Sequence, residues 1–165
     1  MAATHPMHLT DHEITDPVIL DEILRQGKWT TLALAYLDEG LPRPYALTLS
    51  YGYVPEERAL YFHTALGGQK FEILAENPLV CGTVVHDLGY VQGKCSHPFR
   101  SVVFWGRVEE LTGIEDKRRG LDNMIAHLED DPELVRQRLR ARNETYARTR
   151  ILKLTIEAMT GKEGK

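Results

Sequence analysis

Three extended runs, Lys28–Leu37, Arg43–Tyr53 and Leu60–Thr64, follow one another with little more than Asp38-Glu39-Gly40 and Pro55-Glu56-Glu57-Arg58 between them. Each is rich in threonine, aliphatic or aromatic residues, the composition of a pleated strand. Connections this short hold no crossover helix, so antiparallel pairing is the economical topology, with the first two runs as a hairpin. The rest of the chain lacks alternating strand–helix units, which excludes a parallel doubly wound sheet.

Further strands and a few helices complete the pattern. Leu79–His86 is a continuous apolar run that predicts a strand buried on both faces, and Phe99–Leu111 predicts a long strand bent or bulged at Gly106. Leu88–His97 between them is irregular, and Leu152, Leu154 and Ile156 alternate as a last strand. Asp16-Pro17 caps a helix with Ile19, Leu20, Ile23 and Leu24 on one face and Gly27 at its end. Thr112 with Glu115 predicts a capping box ahead of a helix with Leu121, Met124, Ile125 and Leu128 inward. Asp131-Pro132 starts another, with Leu134, Val135 and Leu139 inward and Arg136, Arg138, Arg140, Arg142, Arg148 and Arg150 on solvated faces or in ion pairs. The expected fold is mainly β (α+β): an antiparallel, six- to seven-stranded, closed or partly closed barrel with peripheral helices. Residues 1–13 are expected to be a flexible arm and 14–162 one domain.

The net charge of -4 gives no sequence-wide attraction to nucleic acid or an anionic membrane, although Arg136–Arg150 is locally basic. No apolar run approaches the length of a membrane span, and Met1–Asp11 lacks the pattern of a signal peptide, so a cytoplasmic location is expected. There Cys81 and Cys95 are expected as free thiols.

Leu60–Pro78 carries the chemistry: a strand, the pair Gly67-Gly68, a helix over Lys70–Glu76, and the stop Asn77-Pro78. Free N–H groups at a helix start favour an anion, and Lys70 adds a charge in the first turn, the makings of a phosphate site without a Walker motif. A plain turn also uses two glycines between strand and helix. His63 is either a satisfied core histidine or a proton donor. Cys95 and His97 with Cys81 and His86, or His5, His8 and His12, could hold a metal, but neither spacing is that of a known metal motif, and none is assigned. No Ser-His-Asp order, Gly-x-Ser-x-Gly elbow or Gly-x-Gly-x-x-Gly loop is present.

The ordered motifs Gly40-Leu-Pro42, Leu60-Tyr-Phe-His-Thr64, Gly67-Gly-Gln-Lys70, Glu76-Asn-Pro78 and Phe99-Arg-Ser-Val-Val-Phe-Trp-Gly-Arg-Val-Glu-Glu-Leu111 span most of the chain. Over residues 10–162 it resembles the pyridoxamine 5′-phosphate oxidase-like FMN-binding split barrels. Tyr61-Phe-His63 and Met159-Thr-Gly-Lys162 are most similar to the flavin-nucleotide-binding branch with the 5-nitroimidazole reductases. The resemblance implies a homodimer with flavin at the subunit interface. It places Ala46, Leu47 and Thr48 along the flavin ring, His63 and Thr64 beside the ring and ribityl chain, and Gln69 and Lys70 on the phosphate. Ser101, beside Arg100, would reach the flavin bound mainly by the other subunit. It further implies a small nitro-aromatic or similar acceptor, transient NAD(P)H, and His63 acting on the acceptor. Within the same barrels, haem is the alternative cofactor, with His63 or His97 as axial ligand. Gln69 stands where the vitamin-oxidising enzymes carry arginine and Ser50 where they carry lysine, and their C-terminal pyridoxine phosphate segment is not recognisable; oxidation of that vitamin is therefore not expected.

Overall fold

The computed structural model describes residues 7–140 and 149–164. Strand alternation builds it outward from the hairpin. In β2 (Trp29–Asp38) Thr30, Leu32 and Leu34 are buried while Trp29, Thr31 and Ala33 are exposed. β3 (Leu41–Ser50) follows it in unbroken register, from Trp29 opposite Ser50 to Asp38 opposite Leu41. The hairpin turns on Glu39 and Gly40, with φ of 51° and 78°, the two positive φ values of a tight primed turn.

The expected run Arg43–Tyr53 is broken. Tyr51 leaves the ladder, its hydroxyl donating to the Leu24 carbonyl at 2.7 Å, and the chain resumes as β4 (Gly52–Val54) against β5 (Ala59–Thr64). That bond anchors the first helix, α1 (Pro17–Gln26), which is capped as expected: Asp16 accepts from the Val18 N–H at 2.9 Å, and Gly27 ends it. Ahead of it, Thr10–His12 form a 3-10 turn and β1 (Glu13–Ile14) pairs with the last strand, so part of the expected arm is held on the sheet.

α2 (Gln69–Glu76) leads to β6 (Leu79–Asp87), β7 (Phe99–Leu111), α3 (Ile114–Leu128), α4 (Pro132–Arg140) and β8 (Arg150–Gly164). All pairings are antiparallel, and the sheet runs β3-β2-β6-β7-β8-β5-β4 with β1 beside β8. The fold class is as expected. The described residues form eight strands, because β1 is added and the second run divides into β3 and β4. The sheet curls until β3, at one edge, meets β5, closing a barrel split along that seam. Leu32, Leu60, Phe62, Val84, Val102, Phe104 and Leu154 fill it; each such side chain contributes about 1.5–3 kcal/mol by leaving water. Ala59, Tyr61 and Ile151 face the other way and are covered by Met124 of α3.

Three local expectations, on β6, the start of α3 and Leu134, are corrected, and the one at Gly106 is borne out and refined. β6 is not buried on both faces: Val80, Gly82 and Val84 point inward, but Leu79 and Val85 are exposed and Cys81 and Thr83 half-buried. The irregularity at Gly106 is real, yet the extra residue is Glu157 of β8, since Trp105 pairs with Ala158 and Gly106 with Ile156. A Cβ at Gly106 would collide with the Thr155 carbonyl, which explains the glycine. Finally, α3 is capped by Gly113, one residue beyond Thr112, and in α4 Leu134 is exposed while Val135 and Leu139 are half-buried. Arg136 pairs with Asp122, whereas Arg142, Arg148 and His5 lie outside the described residues.

Candidate functional site

β5 ends on the barrel rim, and its period of two separates neighbouring residues. His63 points outward and is exposed, opposite Ile151, whereas Thr64 points inward, is buried, and lies opposite Arg150. A ligand lying on one face can therefore meet the side chain of only one of them. Beyond Thr64, Gly68 takes φ 124° as the N-cap of α2, and no side chain caps that helix start. A Cβ placed on Gly67 would meet nothing within 4 Å, so open space lies in front of the first turn of α2.

Lys70 faces that space from the first turn. Its ammonium donates to the Gly67 carbonyl at 3.4 Å and lies 4.5 Å from the centroid of the Phe71 ring. Gln69 donates to the Tyr36 hydroxyl at 3.3 Å, tying the turn to β2. A flavin phosphate fits this donor set: an uncapped helix start, an ammonium, an amide, and a glycine whose missing side chain leaves the approach open.

Sequence reading missed three contributors. Tyr36 and Phe71 lacked any signal beyond hydrophobicity, but Arg150 had one. It lies two residues before Leu152, in step with the inward side chains of an alternating strand, at the half-exposed end where a charge can reach both the rim and a carboxylate on β7. Its Nε donates to Glu110 at 2.8 Å, Nη2 donates to the other carboxylate oxygen, Nη1 donates to the Leu66 carbonyl at 3.2 Å, and the guanidinium lies 3.7 Å from the Phe71 centroid. Hydrogen bonding from Arg150 holds the Glu110 carboxyl below its ordinary pKa, so the pair stays charged.

The other expected site residues are more dispersed. Ala46 and Thr48 are exposed on β3, Thr48 sharing a 3.2 Å hydroxyl contact with Thr31, while Leu47 turns inward onto the core. Among the described residues β3 has a strand partner on one side only, so its backbone groups at the seam are open to a ligand. Ser101 is buried, donating to the Lys162 carbonyl at 3.5 Å, and Arg100 lies 4.0 Å from Glu163. Ser101 is ten positions from Leu111, which pairs with Ile151 beside Arg150; that is on the order of 33 Å of strand. One protomer does not bring Ser101 to its own glycine turn.

The histidine and cysteine candidates are spread out. His97 contacts Asp87 at 2.8 Å and packs edge-on against Tyr90; Cys95 is exposed, and burial pushes the Cys81 thiol up. Among the described residues no three His, Cys, Asp or Glu side chains converge to hold a metal.

A curled antiparallel sheet split between β3 and β5, with a glycine turn and helix start on its rim, is the architecture of the flavin-binding split barrels. The sequence model described as pyridoxamine 5′-phosphate oxidase matches residues 18–163, and the chain belongs to that family. A candidate 5-nitroimidazole antibiotic resistance protein from Bacteroides thetaiotaomicron is 26% identical, with TM-score 0.72 over 92% of this chain and 86% of that one. The flavocytochrome Anf3 from Azotobacter vinelandii is 20% identical, with TM-score 0.73 over 96% and 72%. A FAD and haem binding protein from Mycobacterium smegmatis is 22% identical, with TM-score 0.66 over 93% and 74%. The last two likenesses show the fold. No curated protein matches the chain. Among the described residues no helix is long and apolar enough to cross a membrane.

Proposed function

We propose that this protein is a cytoplasmic, homodimeric FMN-binding oxidoreductase that reduces small nitro-aromatic acceptors with electrons from NAD(P)H. The observation that carries the reading is the open, uncapped start of α2 behind Gly67, with Lys70 directed to it, on a barrel of this family. The acceptor class draws on the 26% identity to the candidate 5-nitroimidazole resistance protein. Bound flavin supplies the electron transfer from nicotinamide to acceptor.

The chain's own residues bind, orient and deliver a proton. Lys70, Gln69 and the first N–H groups of α2 take the phosphate. Ala46 and Thr48, small and exposed on the open edge strand, leave room for a flat ring whose polar edge the β3 backbone can reach. His63, exposed on the outer face of β5, donates a proton to the reduced acceptor.

The second subunit supplies what one protomer lacks. An outward row crosses the sheet from Ala46 through Ala33, Cys81 and Trp105 to Ala158, and Trp29 and Val85 nearby are 67% and 55% exposed. An apolar sheet face of this kind is suited to burial against a second copy, which would carry Arg100 and Ser101 to the partner's site. The test is anaerobic turnover of a 5-nitroimidazole by FMN-loaded protein with NADH or NADPH. Loss of the nitro absorbance with matching nicotinamide oxidation is expected; no turnover above free FMN with either donor would overturn the proposed activity.

A further inference from the structure

Arg150 touches the glycine turn on both sides. Nη1 holds the carbonyl of Leu66, the residue before Gly67-Gly68, at 3.2 Å, and the guanidinium plane rests 3.7 Å from the ring of Phe71, the residue after Gln69-Lys70. Nε and Nη2 are taken by the two oxygens of Glu110, which reaches in from β7. Three of the five N–H donors an arginine possesses are thus engaged within the protein.

The need for such a clamp follows from the turn itself. Gly67 and Gly68 lose more conformational freedom on ordering than any other residue pair would, and neither has a side chain by which to be held. A phosphate that had to order them would bind more weakly, whereas a turn already formed loses nothing further. Lys70 lies against the same Phe71 ring, so a ring fixed by Arg150 also limits where the ammonium can go. Glu110 keeps Arg150 aimed at the turn and offsets its charge so that two cations can share one ring.

We propose that Arg150, seated by Glu110, is a positioning residue that pre-forms the Leu66–Phe71 turn for the flavin phosphate and does not itself take the phosphate. The inference rests on the assignment of the phosphate to Lys70. It makes a prediction of unusual sign: removing a negative charge close to the anion site should weaken, not strengthen, anion binding.

The experiment titrates FMN and riboflavin into wild type, Glu110→Gln, Arg150→Lys and Lys70→Ala, and measures amide hydrogen exchange over residues 66–71 in the flavin-free proteins. Glu110→Gln should weaken FMN by about tenfold, with riboflavin changed less than about twofold, and exchange in the turn should accelerate. Arg150→Lys, which keeps the charge but not the planar fork, should do the same. Tighter FMN binding by Glu110→Gln with unchanged exchange would show that Arg150 is a phosphate ligand held back by Glu110, and would overturn the clamp. Full FMN affinity in Arg150→Lys would overturn it too. An equal loss of both flavins in Lys70→Ala would instead overturn the phosphate assignment and with it the purpose of the clamp. Faster exchange in flavin-free Glu110→Gln would then still show the turn to be held by the pair, which separates the two failures.

Discussion

Replacing Lys70 by alanine separates a phosphate site from a surface turn. In the flavin-free protein the ammonium is weakly engaged, with one 3.4 Å contact to the Gly67 carbonyl and one ring beside it, so its loss should cost the fold less than about 1 kcal/mol. With a phosphate in front of α2 the balance changes. A unit charge about 4 Å from another is attracted by roughly 4 kcal/mol at an effective dielectric of 20. Desolvation of the ammonium returns part of this, leaving about 1.5–3 kcal/mol, the range for hydrogen bonds to charged groups. Lys70→Ala should therefore raise the Kd for FMN by about 10- to 150-fold while leaving riboflavin within about twofold. Quenching of flavin fluorescence gives both constants, and repeating the titration at 1 M salt, where the screening length drops to about 3 Å, should narrow the gap. Equal losses for both flavins, or none for either, would refute the reasoning.

Further outcomes follow from the same structure. His63→Gln should retain FMN but slow acceptor reduction by about 10²- to 10⁴-fold, the usual worth of a positioned acid; a rate within about threefold of wild type, measured as flavin reoxidation in stopped flow, would remove His63 from the chemistry. Val85→Lys places a charge on the exposed apolar face of β6 and should turn a dimer into a monomer in sedimentation at micromolar concentration; a wild type already monomeric there would contradict the dimer. His127 donates to the Gly27 carbonyl at 2.7 Å, and its pKa is lowered from 6.5, first by burial and then by Lys28 and Arg25, although the bond to Gly27 opposes this. The folded state then binds fewer protons than the unfolded one. Stability from this group is complete above about pH 6.5 and is lost as pH falls toward the depressed value, by at most about 1.4 kcal/mol per pH unit. Urea denaturation from pH 7.5 to 5 should show a steeper loss in wild type than in His127→Gln, and parallel curves would count against it.

What was legible in the sequence was local. Asp38-Glu39-Gly40 defines a hairpin, Asp16-Pro17 and Gly27 bound a helix, and Gly67-Gly68 followed by Lys70 marks the anion-ready turn, because each signal lies within a few residues of its effect. What was not legible depends on residues far apart. The break between β3 and β4 is set by Tyr51 reaching Leu24, and the bulge opposite Gly106 lies in β8 because its extra residue is in the partner strand. Likewise Glu110 and Arg150 are forty positions apart and meet only because β7 and β8 pair in the observed register. Arg150 was expected on a solvated face or in an ion pair, and it does pair with Glu110; its hold on the Leu66 carbonyl and the Phe71 ring depends on the fold and had no local signal.

The central claim is that the rim turn of this barrel holds a flavin mononucleotide. Its most direct test is the absorbance spectrum of the purified protein after incubation with excess FMN, FAD and haem and desalting, followed by mass spectrometry of the ligand released on denaturation. The account predicts a retained flavin band and the mass of FMN at one per subunit. A Soret band with haem retained in preference, or no flavin surviving desalting, would contradict it.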